Sequence, residues 1–478
     1  MLFNSVEFAI FLPIVFILYW FVFSKHLKAQ NFLLLVVSYL FYGWWDWRFL
    51  SLIIFSSFVD YGVGIAMHNS SHKTRRKLLL WVSICVNLGF LGFFKYFNFF
   101  AESFAEAFTL MGASIDPFTL NIVLPVGISF YTFQTLSYSI DIYKGKLKPT
   151  TDIVAFFAFV SFFPQLVAGP IERATNLLPQ FYRHRIFKYN DAVDGMRQIL
   201  WGLFKKVVVA DNCAEYANMI FNNYGDYSGS TLFLGGIFFA FQIYGDFSGY
   251  SDIAIGTSRL FGFRLMKNFA FPYFSRDIAE FWRRWHISLS TWFRDYLYIP
   301  LGGSKGGRNM RIRNTFIIFI VSGFWHGANW TFIVWGALNA IYFLPLLLFN
   351  KNRNNLGIVA EGKYLPSFRE VWSMSITFGL TVIAWIFFRA ANVGEALGYI
   401  SEIFSLSLFS MPEVRPSNLL LLIAVFVLIE WLGREREYAI EQLLLSKPKL
   451  LRWSFYLILI LFVFLFQGKQ QTFIYFQF

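Results

Sequence analysis

Long apolar runs separated by short polar or basic segments make up most of this 478-residue chain. A helix needs close to twenty apolar residues to cross about 30 Å of hydrocarbon. Several runs are shorter or carry polar residues, which indicates a mixture of full spans, re-entrant pieces and buried half-helices. The pattern predicts an all-α polytopic membrane protein with about ten to thirteen transmembrane helices. The apolar runs are 8–23, 31–45, 49–67, 78–98, 122–142, 152–168, 193–220, 231–260, 314–348, 372–390, 418–432 and 453–467.

The first apolar run begins close to the amino terminus, in MLFNSVEFAIFLPIVFILYWFVF. A signal peptide would carry positive charge before its apolar core and small residues at a cleavage site. Glu7 stands in the place of that positive charge, and no A-x-A-like site follows. We expect this run to be a retained transmembrane helix.

Basic residues fall in short clusters between the apolar runs, as the positive-inside rule requires of cytoplasmic loops. The clusters are 25–28, 73–77, 144–148, 183–188 and 305–313. The clusters at 25–28 and 73–77 are separated by two predicted spans, so both can lie in the cytoplasm. This arrangement predicts an extracytoplasmic amino terminus. The aromatic turn 43–47 then lies at the outer interface, where tryptophan is favoured, and the amphipathic stretch 99–121 lies on the same side.

One segment does not fit a simple alternation of spans. The clusters 144–148 and 183–185 both belong inside, yet only the run 152–168 separates them, and it contains Pro164. We expect this run to enter the membrane and turn back. No internal repeat or polar linker interrupts the chain, so we predict a single membrane-embedded domain over residues 1–478.

Composition agrees with a membrane protein. Hydrophobic residues reach 57%, aromatic residues 22%, and charged residues only 14%, against about 25% charged in ordinary soluble chains. No soluble globule of this length can bury so much apolar surface, and disordered chains are rich in charge and poor in aromatics. The net charge of +13 lies in loop clusters rather than on one folded face, so we expect no nucleic-acid partner.

Two of the six histidines stand in apolar surroundings. His286 follows FWRRW, and His326 lies in SGFWHGANW, whereas the other four lie within or beside basic loops. An ionisable residue at membrane depth marks function by default, and an imidazole can take a proton from a hydroxyl group. The alternative is a histidine that bonds a helix backbone for structural reasons. The chain lacks HExxH and any carboxylate at ligand spacing, so we predict no metal.

Two further segments carry polar residues. Asp246 and Asp252 stand in GDFSGYSD, where a structural ion pair with Arg259 or Arg276, or the shaping of a polar cavity, are the two alternatives. The glycine-rich turn 302–307 lacks the order of a phosphate-binding P-loop. We interpret it as a flexible cytoplasmic turn that can still contact an anionic ligand.

Longer motifs resemble the membrane-bound O-acyltransferase family, and most closely its alginate O-acetylase branch. The similarity runs from the first helix to the last residue, and both histidine positions agree. The segments that carry it are FWRRWHISLSTWFRDYLYIPLGG (281–303), SGFWHGANWTF (322–332), FQIYGDFSGYSDIAIG (241–256), LPVGISFYTFQTLSYSIDIY (124–143), FFPQLVAGPIER (162–173) and TFIYFQF (472–478).

The resemblance implies a ring of helices around a central funnel in the cell inner membrane. It implies an enzyme that moves acetyl groups from cytoplasmic acetyl-CoA towards an extracytoplasmic polysaccharide, alginate or a related exopolysaccharide. Acetyl-CoA is then the donor substrate, and no resident cofactor is expected. His326 matches the central catalytic histidine of the family, and His286 matches its second polar position.

Other residues receive expectations of their own. Charge complementarity favours Arg283, Arg284, Lys305 and Arg308 as contacts of the anionic coenzyme. Residues expected to shape the cavity are Asp246, Ser248, Trp325 and Asn329.

The polar stretches between the apolar runs are short, so we expect polymer selection to depend on other proteins. The resemblance implies a periplasmic or membrane-anchored SGNH-like acetyltransferase and polysaccharide-export machinery, beside the lipid bilayer itself. Trp44, Trp45 and Trp47, with the stretch 99–121, form a candidate docking face; interfacial anchoring is the alternative. A channel, flippase or transporter with structural histidines is the competing function, but it does not explain the two histidine motifs.

Overall fold

The structure is a computed structural model, and every regular element it describes is a helix. No strand occurs in the described parts of the chain, so the all-α prediction is confirmed. The described residues are 1–113, 115–167, 169–469 and 471–474.

The chain forms two compact units. The first contains residues 1–192 and 257–266, and the second contains residues 193–256 and the described residues from 267 onward. The prediction of one membrane-embedded domain over residues 1–478 stays a prediction.

The described residues of the first unit contain nine complete α-helices, the start of a tenth and the end of a later one. Wide π turns extend α1 through Val22 and α4 into α5. The nine are α1 (Val6–Ile17), α2 (Leu27–Asp46), α3 (Leu50–His68), α4 (Lys73–Leu91), α5 (Phe97–Leu110), α6 (Ile128–Tyr143), α7 (Ile153–Ser161), α8 (Phe163–Leu166) and α9 (Ala174–Leu177).

A buried polar cluster joins three helices of the first unit. Asp60 of α3 is fully buried and accepts hydrogen bonds from Ser83 and Asn87 of α4 and from Ser139 of α6. Hydrogen bonds from these donors offset the free-energy cost of burying a carboxylate away from water. The cluster therefore fixes how α3, α4 and α6 pack.

The segment expected to turn back in the membrane is a short broken helix. Phe162 leaves helical geometry (φ −50°, ψ 106°) between α7 and α8. The nine residues of α7 extend only about 14 Å at 1.5 Å per residue, less than half of a hydrocarbon core. A re-entrant path stays a prediction, and residue 168 of this run lies outside the described residues.

The second unit holds the remaining helices. They are α10 (Tyr189–Leu203), α11 (Asp211–Asn222), α12 (Gly229–Leu260), α13 (Ile278–Arg284), α14 (Ile287–Phe293), α15 (Arg308–His326), α16 (Trp330–Leu348), α17 (Phe368–Arg389), α18 (Val393–Ile403), α19 (Ser417–Gly433) and α20 (Lys449–Leu465). The first four residues of α10 and the last four of α12 are assigned to the first unit.

Five helical stretches of the described chain are long and apolar enough to cross a membrane. The first of them contains two helices, because Asp46 adopts an extended conformation (φ −159°, ψ 110°) between α2 and α3. Other helices in predicted runs are too short or too polar, such as α15, which begins with three arginines in six residues. The range of ten to thirteen spans and the central funnel stay predictions. The five stretches are Leu27–His68, Lys73–Leu110, Gly229–Leu260, Trp330–Leu348 and Phe368–Arg389.

Glycines let α10 and α12 pack at short range. A Cβ at Gly202 would lie 2.6 Å from the carbonyl oxygen of Gly249, and one at Gly256 would lie 2.5 Å from that of Gly195. Small residues of this kind allow the backbones of two membrane helices to approach closely.

Buried ion pairs lie along the same face of α12. Lys206 pairs with Asp246 at 2.8 Å and with Asp211 at 2.7 Å, and Lys205 pairs with Asp252. The prediction of a structural ion pair is confirmed, but Arg276 was wrong as a partner, since it pairs with Glu280. The lysines belong to the π turn Phe204–Ala210 after α10. They reach the aspartates because this turn packs against α12, and the sequence alone does not show which helices pack together.

Candidate active site

His326 is the last residue of α15. The helix ends there because Gly327 is extended (φ −160°, ψ 152°), and a Cβ at Gly327 would lie 2.0 Å from the ring of Phe332. The imidazole is 3% exposed. The rings of Trp335 and Phe388 pack against it at steep angles, with centroids 5.1 and 5.4 Å away. His326 is therefore a buried imidazole at a helix terminus within an aromatic shell.

The helices α15 and α16 approach each other closely beside His326. A Cβ at Gly323 would lie 2.2 Å from the carbonyl oxygen of Phe332, and one at Gly336 would lie 2.3 Å from that of Phe319. Any larger residue at either position would push the helices apart. These glycines bring Trp335 of α16 against the histidine ring.

His286 lies between α13 and α14 in a left-handed conformation, with φ 43° and ψ 55°. This conformation costs a non-glycine residue on the order of 1–2 kcal/mol, and such strain clusters at functional sites. The imidazole is fully buried. Its Nδ1 lies 3.0 Å from Oδ1 of Asn268, and the ring of Phe247 packs edge-on at 4.6 Å.

The charge state of His286 follows from its burial. His286 lies outside the candidate membrane spans. Burial lowers the pKa of its imidazole from 6.5 to about 3, because the protonated form loses its hydration. The side chain is therefore neutral around physiological pH.

Trp325 connects the two histidines. Its ring centroids lie 4.9 Å from the ring of His326 and 6.1 Å from that of His286. The structure thus brings both histidines, which are distant in the sequence, into one buried aromatic cluster. Trp325 itself is 5% exposed.

Arg283 and Arg284 bind backbone and side-chain groups of the protein. Arg284 forms an ion pair with the buried Glu280 at 2.8 Å. Arg283 donates hydrogen bonds of 2.9 and 2.7 Å to two backbone carbonyls of the segment 352–355. These contacts fasten a loop beside the site, and a role of either arginine in donor binding stays a prediction.

A cavity of about 530 Å³ lies along α15. On the wall formed by α15, residues from Arg311 to Ser322 contribute, which is about 16 Å at 1.5 Å per residue. Ser322 lies one helical turn before His326. The cavity lining also includes Trp282 and two further arginines, Arg294 and Arg353. The cavity therefore combines positive charge with a path towards the turn that carries His326.

The other residues predicted to contact the donor lie at the start of α15. Lys305 and Arg308 are exposed. In the sequence they lie between Ser304 and Arg311, which both line the cavity. Their role in donor binding stays a prediction.

The remaining predicted cavity residues are Asp246, Ser248 and Asn329. Asp246 pairs with Lys206, and Ser248 is buried in α12. Asn329 is the N-cap of α16: its side chain accepts from the backbone N–H of Thr331 at 3.0 Å. Their effect on the shape of a cavity stays a prediction. Within the described ranges, no group of three or more His, Cys, Asp or Glu side chains is placed to hold a metal ion.

Sequence reasoning missed four residues of this region. Asn268 lies in an irregular loop whose sequence carries no periodic signal. Arg311 belongs to the basic cluster 305–313, in which we predicted only Lys305 and Arg308 as donor contacts, and Arg294 and Arg353 are separated from it in sequence. The three arginines could have been suggested as cavity residues only by their positions close to the histidine motifs in the sequence.

Comparisons with known proteins agree with these observations. A family model described as MBOAT, membrane-bound O-acyltransferase family, matches residues 146–387, a range that includes both histidines. The probable alginate O-acetylase AlgI of Pseudomonas aeruginosa is 40% identical over 422 residues, which cover 88% of this chain and 78% of the relative.

Relatives with other names are also similar. The peptidoglycan O-acetyltransferase of Helicobacter pylori is 35% identical over 426 residues, covering 83% of this chain and 78% of the relative. The teichoic acid D-alanyltransferase of Streptococcus thermophilus is 29% identical over 321 residues, covering 61% of this chain and 75% of the relative. With its apolar helices and buried histidines, the chain belongs to the membrane-bound O-acyltransferase family and is a multi-pass membrane acyltransferase.

Proposed function

We propose that this protein transfers an acetyl group from cytoplasmic acetyl-CoA to a hydroxyl group, for O-acetylation of an extracytoplasmic polysaccharide. The observation that carries the proposal is the position of His326. It is a buried imidazole, one turn beyond the end of a cavity that contains three arginines.

The cavity suits a coenzyme that is anionic at one end and reactive at the other. Arginine binds phosphate through charge-assisted, often bidentate hydrogen bonds. Arg294, Arg311 and Arg353 line the cavity, and we assign the coenzyme phosphates to them. The acyl arm then runs along Trp282 towards Ser322, which brings the thioester to the turn that carries His326.

The chemistry at His326 is general-base catalysis of acyl transfer. The imidazole takes the proton of the acceptor hydroxyl while its oxygen attacks the thioester carbonyl and forms a C–O bond. The C–S bond then breaks, and the proton passes to the departing CoA sulfur. The partial negative charge at the end of α15 stabilises the positive charge that the imidazole gains.

The acceptor is proposed from the names of relatives. The names of the two relatives give alginate for the probable alginate O-acetylase and peptidoglycan for the peptidoglycan O-acetyltransferase. Alginate or a related exopolysaccharide is our first choice because identity to the alginate O-acetylase is 40%. For the location we propose the inner membrane, with the donor on the cytoplasmic side and the amino terminus outside.

We also assign acceptor selection to a partner, an SGNH-like acetyltransferase working with polysaccharide-export machinery. An exposed aromatic face of the first unit supports a docking surface, with Trp44 57% and Trp47 76% exposed and Phe100 and Phe104 59% exposed. Interfacial anchoring in lipid uses the same residues. Substituting Trp44 and Trp47 by Ala should abolish partner capture if the face is a docking surface, and leave capture intact if it only anchors the helices.

His326→Ala is the decisive test of the proposed function. The purified protein receives labelled acetyl-CoA with alginate oligosaccharides and partner-containing membranes, and both CoA release and polymer labelling are measured. We expect turnover to fall by about 10²–10⁴ with unchanged expression and elution. His184→Ala, a change at an exposed histidine, is the matched control. A variant that keeps more than a tenth of wild-type turnover would refute the role of His326.

A further inference from the structure

Asn268 is held in one orientation by contacts on both ends of its amide. Its Nδ2 donates to Oγ of Ser251 on α12 at 3.1 Å. Its Oδ1 accepts from Oγ of Ser288 at 2.9 Å and from the backbone N–H of Ser288 at 3.4 Å. A backbone N–H can only donate, so the atom that faces α14 must be the oxygen.

The backbone around Asn268 is fixed as well. The carbonyl oxygen of Asn268 accepts from the N–H of Ile287 at 2.9 Å, and the N–H of Ala270 donates to the carbonyl oxygen of Arg284 at 2.9 Å. These two bonds lie on either side of His286. They hold its left-handed backbone and keep the Asn268 side chain beside the imidazole.

The orientation of the amide determines the tautomer of His286. Nδ1 lies 3.0 Å from Oδ1 of Asn268, and an oxygen that accepts hydrogen bonds requires a hydrogen on that nitrogen. A neutral imidazole has only one N–H. The proton is therefore on Nδ1, and Nε2 carries the lone pair.

We propose that Asn268 is a positioning residue that fixes His286 in the Nδ1–H tautomer, so that Nε2 accepts a hydrogen bond from the hydroxyl to be acetylated. This assignment rests on the proposed function and adds a division of labour to it. His326 takes the proton, while His286 orients the hydroxyl and does not donate to the oxyanion.

Several charged groups of the described residues near His286 have contacts of their own. On α12, Asp246 and Asp252 pair with Lys206 and Lys205. Next to Asn268, Lys267 donates to the carbonyl oxygen of Arg436, and on α13 Arg284 pairs with Glu280. On α15 the titratable neighbour is His326 itself.

The test compares the pH dependence of kcat in the wild type, Asn268→Asp and Asn268→Ala, with Asn223→Asp as the control. Asn223 is exposed, so this control adds the same charge away from the histidines. An Asp at position 268 accepts from Nδ1–H and favours the imidazolium, which blocks Nε2 by protonation. We expect the acid limb of Asn268→Asp to become steeper, approaching a two-proton slope, and to move to higher pH.

Asn268→Ala supplies a second readout. Without the amide oxygen both tautomers are accessible, and we expect kcat to fall at least about tenfold with KM for acetyl-CoA unchanged. If neither variant elutes as a folded protein, Ser251→Ala, which removes the acceptor of Nδ2, is measured instead, and a fall in kcat at constant KM is again expected.

The results distinguish a failure of the proposed acetyl transfer from a failure of the role assigned to Asn268. A wild type that transfers no acetyl group overturns the proposed function itself. An active wild type whose Asn268→Asp profile matches that of Asn223→Asp, or a folded Asn268→Ala (or Ser251→Ala in its place) with wild-type kcat, overturns only the role of Asn268.

Discussion

At the residue scale, two histidines share a cluster but differ in what surrounds them. His326 ends a helix within a shell of aromatic rings, whereas His286 sits in a strained turn with a polar side chain at Nδ1. The carboxyl end of a helix stabilises a positive charge, as at His326. At His286, the neutral amide of Asn268 does not replace the hydration that a protonated imidazole loses on burial. The two residues are therefore suited to different tasks, proton transfer and orientation.

Substitutions of His286 distinguish hydrogen bonding from titration. We expect His286→Ala to lower kcat strongly and His286→Asn to be milder, because an amide retains hydrogen-bonding capacity without titrating. The measurement is kcat of both variants with saturating acetyl-CoA. An equal loss in the two variants would show that the residue must change protonation, contrary to an imidazole that stays neutral at working pH.

At the element scale, the sequence predicted what depends on local pattern. The helical class follows from the runs of apolar residues, and the polar residues inside such runs marked the segments around His286 and His326. For the run 152–168 the sequence predicted a turn back in the membrane, whereas the break at Phe162 is visible only in the folded chain. The partner of Asp246 did not follow, because Lys206 comes from a different helix. Asn268 lies in an irregular loop, so only the folded chain shows that it faces His286.

The cavity along α15 makes a prediction about donor binding. We expect Arg311→Gln with Arg353→Gln to raise KM for acetyl-CoA about tenfold or more, since a charge-assisted hydrogen bond contributes about 1.5–3 kcal/mol. The value of kcat should change less, because the phosphates bind equally in ground and transition states. Steady-state kinetics with varied acetyl-CoA checks this.

Arg369→Gln, at an exposed position, is the control, and Arg283→Gln is a separate comparison because Arg283 does not line the cavity but binds the segment 352–355, which includes Arg353. A larger rise in KM for this variant than for the cavity variants would instead favour the contacts predicted from the sequence, Arg283 and Arg284.

A carboxyl group in the first unit predicts a pH-dependent stability. Glu172 accepts from the backbone N–H of Met266 and from Asn176 at 2.7 Å. Burial raises the pKa of Glu172 from 4.5 to about 7. Because the folded-state pKa is the higher one, the contribution to stability is full below pH 4.5 and is lost as pH rises through about 7.

Glu172→Gln should remove this part of the pH dependence. The variant cannot ionise, so its apparent Tm relative to wild type should increase between about pH 4.5 and 8, by the equivalent of about 3 kcal/mol at most. Thermal unfolding in detergent, followed by fluorescence, measures the difference. Glu361→Gln, at an exposed position, is the control, and identical pH profiles of the two variants would contradict the assignment.

At the scale of the whole molecule, the cavity along α15 and the basic clusters together indicate the direction of acetyl transfer across the membrane. The cluster 305–313 is predicted to be cytoplasmic by the same rule that orients the clusters 25–28 and 73–77. Arg311 belongs to this cluster and lines the cavity. From Arg308, α15 runs 19 residues to His326, about 27 Å at 1.5 Å per residue. The part of the cavity lined by Arg311 therefore lies near the end of α15 that the charge pattern assigns to the cytoplasm.

Transfer should then be vectorial. In proteoliposomes that contain the partner and polymer in the lumen, we expect external acetyl-CoA to serve only molecules whose 305–313 cluster faces outward. Asn309→Cys, at an exposed position of that cluster, reports orientation through an impermeant maleimide once the exposed Cys85 is replaced by Ser. Lumenal labelling should rise in proportion to the fraction of molecules whose introduced thiol the reagent modifies from outside. Labelling that is independent of this fraction, or that falls as it rises, would place the donor cavity on the opposite side of the membrane and reverse the proposed direction of transfer.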